Sequence, residues 1–225
     1  MLKKIYSFNQ ERADNTALLY KGKSISYKEL NQRIQGFACY LENKDISEGD
    51  SVIIALDNCP EIIYSLFGAW ENRITVVPLD YRLTATEYKA IIKEVKPKLV
   101  VTSRNCNDGE TYKRFSEMVG NSKFEKELVV IDCDAFFNTN DNFDFAHSLL
   151  SDSKLMNNFM ESSTKDLKEN ANKSVGTFMA MIQYTSGTMG KPKGVMKKSR
   201  QFLYEARSVA TSLKYTSKDK IMIAK

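Results

Sequence analysis

The chain has 225 residues, 42% of them hydrophobic and 27% charged, a balance that supports one large core and excludes wholesale disorder. No apolar run approaches the ~20 residues that cross a bilayer, and the early lysines have no apolar segment behind them, so neither a transmembrane segment nor a secretion signal is expected and the compartment is read as cytoplasmic. Thirty-three basic against 28 acidic residues give +5, which suits a small anionic ligand; the lysines are scattered, so nucleic acid is not expected as a partner.

In chain order, Ser26-Tyr27-Lys28-Glu29 has the pattern of a helix capping box, and Leu30, Ile34, Phe37, Ala38 and Leu41 repeat behind it at helical spacing. Gly49-Asp50 turns the chain into Val52-Ile53-Ile54-Ala55-Leu56, apolar at successive positions as a strand buried on both faces must be. Pro60 suits the start of a helix carrying Ile62, Ile63, Leu66, Phe67 and Trp70. Ile74 to Val77 reads as the next strand. Thr84-Ala85-Thr86-Glu87 is a second capping box before Tyr88, Ile91, Ile92 and Val95, and Leu99-Val100-Val101 follows as a strand. Strand, helix and strand at this spacing predict βαβ units, hence an α/β fold on a parallel sheet. A helix near residues 110–119 and a strand over Leu128–Ile131 precede a polar excursion, about 134–174, read as a surface insertion within the domain. Order returns with the strand Thr177–Tyr184. Ser199 is read as the cap of a helix with Phe202, Leu203, Ala206, Val209, Ala210 and Leu213 on one face, and Ile221–Lys225 as the opening of a further buried strand. Cys39, Cys59, Cys106 and Cys133 lack metal or disulfide spacing, and the single histidine, His147, has no ligand-spaced partner; no metal site is expected.

Between these elements lies Tyr184-Thr185-Ser186-Gly187-Thr188-Met189-Gly190-Lys191-Pro192-Lys193-Gly194-Val195. Glycines let backbone N–H groups approach an anion, hydroxyls donate to phosphate oxygens, and lysines supply charge-assisted bonds. The composition is that of a phosphate clamp or, more blandly, of a flexible turn whose hydroxyls bond nearby backbone. It is not a Walker A loop, because Lys191 is followed by proline, nor a dinucleotide fingerprint, because Gly187-x-x-Gly190 lacks the opening Gly-x-Gly.

This loop resembles the phosphate-binding signature of the adenylate-forming superfamily, which includes acyl-CoA synthetases, luciferases and peptide-synthetase adenylation domains. Ile25-Ser26-Tyr27-Lys28-Glu29-Leu30, Gly49-Asp50-Ser51-Val52 and Val77-Pro78-Leu79-Asp80 are similar to further elements of that superfamily, in its order. The resemblance implies the large N-terminal α/β domain of such an enzyme and a two-step ligase reaction. A small-molecule carboxylic acid attacks ATP, with Mg²⁺, to give an acyl-adenylate and pyrophosphate; a thiol, coenzyme A or carrier-protein phosphopantetheine, then takes the acyl group. It implies that Thr185, Ser186, Gly187, Thr188, Gly190, Lys191 and Lys193 surround the β- and γ-phosphates, with Met189 in the same loop, and that Lys193 neutralises charge. Arg82-Leu83-Thr84 followed by Glu87 is more like acyl-CoA synthetases than peptide-synthetase domains.

Three positions depart from the pattern. Met189 stands where a second Thr or Ser is usual, Ser199 where many members have histidine, and Asn72-Arg73 where a small Ala-Gly pair is usual. Family members are also roughly twice this length. Residues 1–225 are therefore read as part of the N-terminal domain, without the C-terminal lid domain and its lysine. No catalytic residue is assigned within the chain, and on its own it is expected to be inactive and poorly soluble. Two alternatives stay open: a non-catalytic remnant that at most binds phosphate or a partner, and an adenylation domain that loads an amino acid onto a carrier protein.

Overall fold

The computed structural model describes residues 12–118, 129–132, 178–185, 192–216 and 218–223. The described chain begins with an antiparallel hairpin, β1 (Thr16–Tyr20) and β2 (Lys23–Ser26). Its two turn residues, Lys21 and Gly22, both have positive φ, 47° and 78°, as a tight two-residue hairpin requires. Helix α1 (Tyr27–Asn43) starts where the capping box predicts: Ser26 Oγ accepts the Glu29 N–H, and the Glu29 carboxylate accepts the Ser26 N–H at 2.8 Å. Leu30, Ile34, Phe37, Ala38 and Leu41 are all buried.

Six strands follow in one sheet: β3 (Ser51–Ile54), β4 (Thr75–Pro78), β5 (Leu99–Thr102), β6 (Val129–Asp132), β7 (Met179–Thr185) and β8 (Lys193–Lys198), in the spatial order β6-β5-β3-β4-β7-β8. The first five in chain order are parallel, as the βαβ reading predicts. β8 was not foreseen. It lies antiparallel to β7, and residues 193–195, read from sequence as loop, form its first half. The reason is positional: β8 is an edge strand exposed along most of its length, so no buried face imposes an apolar alternation on Lys193–Lys198.

The sheet is covered on both faces. Leu30, Phe37, Leu41, Val52, Ile54, Trp70 and Val76 form a core with α1 and α2 (Pro60–Glu71). On the opposite face Ile53, Val77, Val100, Tyr88, Ile91, Ile92 and Phe115 pack with α3 (Ala85–Val95) and α4 (Glu110–Met118). Val52 and Ile54 face one core and Ile53 the other, which is why the run is apolar at every position.

The predicted face of α2 is rotated. Tyr64, Ser65, Gly68, Ala69 and Trp70 are buried, whereas Ile62, Ile63, Leu66 and Phe67 are only half-buried. Small residues sit at the centre because α1 passes close by: a Cβ on Gly68 would lie 2.8 Å from the Ile34 carbonyl oxygen and 3.0 Å from the Phe37 ring.

At the far end, α5 (Ser199–Ser212) is capped by Lys198, not Ser199. The Lys198 N–H donates to Gln201 Oε1, while Ser199 is the first helical residue, its hydroxyl buried without a partner. Only the first turn of its apolar face docks: Phe202 and Leu203 are half-buried, but Val209 and Leu213 are 50% and 58% exposed. Ile221, Met222 and Ile223, expected to open a buried strand, are exposed and unpaired; apolar character alone makes no strand without a neighbouring edge to bond. The 134–174 excursion, Cys133 and His147 lie outside the described residues.

Candidate functional site

Strands β3, β4, β5 and β7 all run the same way, so the segments that follow them gather at one edge of the sheet. The chain leaves β3 for α2 on one face and leaves β4 for α3 on the other. Such divergence at carboxyl ends is where open α/β sheets bind ligands.

β7 carries the hydroxyl-, glycine- and lysine-rich loop to this edge and is tied down at its start. Its pairing with β8 skips a residue between Met179 and Met181, a bulge that leaves Ala180 out of that ladder. The Ala180 carbonyl instead accepts the indole N–H of Trp70 at 2.7 Å, a buried bond. One residue earlier, Thr75 Oγ1 donates to the Met179 carbonyl at 2.9 Å. Helix α2 and strand β4 thus both grip the base of β7, and α5 closes on the same point, its Phe202 ring 5.1 Å from Trp70.

Of the eight residues singled out in the loop, the structure describes two. Thr185 ends β7, Lys193 begins β8, and they are directly opposed across the hairpin. Opposed residues share a face of the sheet, so a hydroxyl and an ammonium stand together, both exposed, at the mouth of the loop. Ser186, Gly187, Thr188, Met189, Gly190 and Lys191 lie outside the described residues. One pair inward, Tyr184 opposes Gly194, and both face away from Thr185 and Lys193. Burial, followed by the nearby Glu94 carboxylate, pushes the Tyr184 hydroxyl up to about 12, so it stays neutral at physiological pH. Neither Tyr184 nor Gly194 was singled out from the sequence; the register that pairs them exists only once β8 is recognised as a strand.

The neighbouring segment after β4 is rigidly held. Arg82 grips both carboxylate oxygens of Asp80 at 2.9 and 2.7 Å. The Tyr88 hydroxyl donates to the Asp80 carbonyl, Thr111 to that of Tyr81, and Arg114 to that of Leu83. Thr84 and Glu87 close the second capping box. The Arg-Leu-Thr-x-x-Glu stretch thus fixes this loop and starts α3. Among the described residues, no group of three or more His, Cys, Asp or Glu could hold a metal ion, and no helix is long and apolar enough to cross a membrane.

Residues 6–224, nearly the whole chain, match the AMP-binding enzyme family. The chain belongs to that family. Its relatives are much longer. Naringenin synthase of Pestalotiopsis fici is 25% identical over 211 residues, 93% of this chain but 7% of the relative. A crotonobetaine/carnitine–CoA ligase of Salmonella arizonae is 36% identical over 95 residues, 40% of this chain and 18% of the ligase. Among solved structures, VinN in complex with 3-methylaspartate superposes with a TM-score of 0.72 at 19% identity, over 96% of this chain and 52% of that one. The O-succinylbenzoate CoA synthetase MenE of Bacillus subtilis, bound to AMP, gives 0.63 at 20% identity, over 96% and 47%. The mostly parallel α/β sheet is thus the fold of VinN and MenE, and this chain spans about half the length of either structure.

Proposed function

We propose that the chain provides the nucleotide-phosphate site of a ligase that activates a carboxylic acid with ATP. The observation that carries this reading is the opposed Thr185–Lys193 pair at the mouth of a hydroxyl- and glycine-rich loop, on the carboxyl edge of a parallel sheet. ATP and its Mg²⁺ enter as substrate. The carboxylate oxygen attacks the α-phosphorus, the bond to the β-phosphate oxygen breaks, and pyrophosphate leaves as an acyl-adenylate forms. The part of this chain is electrostatic: the Lys193 ammonium balances the charge that grows on the leaving pyrophosphate, and Thr185 donates a hydrogen bond beside it. Ser186, Gly187, Thr188, Gly190 and Lys191 complete the clamp by sequence, and Met189 contributes no polar donor, a loss of about 0.5–1.5 kcal/mol against a hydroxyl.

The acyl group then passes to a thiol. A CoA ligase and a CoA synthetase among the relatives favour coenzyme A over carrier-protein phosphopantetheine as the acceptor. The free cysteines among the described residues, Cys39, Cys59 and Cys106, fit a cytoplasmic setting. Because the solved relatives are about twice as long, we assign phosphate binding, rather than turnover, to these 225 residues by themselves. Calorimetry with MgATP and with pyrophosphate tests this. Binding that weakens about tenfold or more in Lys193→Ala is expected; no binding by the unsubstituted chain, or binding unaffected by that substitution, refutes it.

A further inference from the structure

The hairpin that presents Thr185 and Lys193 contains a vacancy that another side chain fills. Gly194 has an unremarkable φ, so backbone conformation does not explain the missing side chain. Space does. A Cβ at residue 194 would lie 2.9 Å from Ile182 Cγ2, 3.2 Å from Tyr184 Cζ and 3.4 Å from Tyr184 Cε1. Tyr184 is the direct cross-strand partner of Gly194, and its ring crowds the space a Cβ there would take; Ile182 flanks it on the same face. The same two side chains pack on the core formed with α3, so the ring is held from below as well.

We propose that Tyr184 is a positioning residue for the Thr185–Lys193 pair: its ring, filling the place of a Cβ on Gly194, clamps the two strands so that the two residues stay opposed. An aromatic ring across a glycine is an effective cross-strand contact because it replaces the packing the glycine lacks. The hydroxyl takes no part, since the ring atoms Cζ and Cε1 make the contact with residue 194. Tyr184 acts on phosphate only through the pair it aligns. The functional half of the inference rests on the nucleotide-phosphate reading above; the structural half does not.

The test uses the 225-residue chain and the variants Tyr184→Phe, Tyr184→Ala, Gly194→Ala and the double Tyr184→Ala/Gly194→Ala. Hydrogen exchange is followed in peptides covering 179–185 and 193–198, with β3 to β5 as internal reference, and binding of MgATP and inorganic triphosphate is measured alongside. Tyr184→Phe should match the parent chain. Tyr184→Ala and Gly194→Ala should each speed exchange in the hairpin by about tenfold while β3 to β5 stay protected, and each should weaken triphosphate binding. The double variant should lose less than the sum of the two, because the new methyl enters the space the ring has left. Strictly additive losses, or a hairpin as protected in Tyr184→Ala as in the parent, overturn the inference. If the hairpin responds as expected but the parent chain binds neither anion, the clamp stands and the phosphate reading fails.

Discussion

Replacing Trp70 by Phe should loosen the base of β7 without touching the loop it carries. The substitution keeps an aromatic ring in the core but removes the donor to the Ala180 carbonyl, which is fully buried and left out of the β7–β8 ladder by the bulge. An orphaned buried carbonyl costs about 1–3 kcal/mol, and the smaller ring, retreating from Phe67 and Phe202 at 5.6 and 5.1 Å, adds about 1 kcal/mol. A total of about 2–4 kcal/mol lowers Tm by roughly 4–16 °C in a chain of this size. Circular dichroism during urea and thermal unfolding measures the loss, and Thr75→Val, which removes the neighbouring bond to Met179, provides a milder comparison of about 1 kcal/mol. A Trp70→Phe chain within about 0.5 kcal/mol of the parent would refute the claim that this bond holds β7 in place.

Three further outcomes follow from other parts of the fold. Gly68→Ala should destabilise by up to about 2 kcal/mol, because overpacking against the Ile34 carbonyl and Phe37 outweighs the helix propensity gained, and an unfolding midpoint at or above that of the parent would contradict the close α1–α2 approach. Hydrogen bonds from Ser26 and Thr84 hold Glu29 and Glu87 below the ordinary carboxylate value of 4.5, so each capping box stabilises fully above that pH and is lost as pH falls through the lowered folded-state values. Ser26→Ala and Thr84→Ala should each cost about 1 kcal/mol at neutral pH and flatten this acid limb in a stability-versus-pH series. Burial pushes the Cys39 thiol up to about 11, so native protein at pH 7.5 should remain unalkylated there by iodoacetamide in peptide mass spectra while unfolded protein reacts.

Much of the fold was legible because its signals are local. Ser26-x-x-Glu29 and Thr84-x-x-Glu87 mark helix starts through bonds made within one turn, and Val52 to Leu56 is apolar at every position because the sheet has two covered faces. The superfamily-like motifs outside the loop turn out to be devices of the same kind. In Gly49-Asp50, the glycine takes φ 101° and the Asp50 carboxylate accepts the Ser47 N–H. Arg73, standing where glycine is usual, adopts φ 58° and is held by Glu48 at 2.9 Å and by the Phe178 ring. What the sequence concealed depends on partners distant along the chain. The buried face of α2 is set by how α1 crosses Gly68, and β8 exists because β7 offers it an edge. The candidate site was marked in the sequence only by the composition of its loop; the Thr185–Lys193 register and the ring against Gly194 required the pairing itself.

Trp70 is the only tryptophan in the chain, and its indole joins α2 to the strand that leads into the loop while its ring meets Phe202 of α5. The protein therefore carries an intrinsic fluorophore at the root of its candidate site. Emission from a buried, hydrogen-bonded indole responds to small changes in polarity, so movement of β7 or α5 should appear as a spectral shift from a single residue. Phosphate binding, hairpin loosening and unfolding could then be followed optically in the unlabelled chain, each by how far it disturbs the same ring.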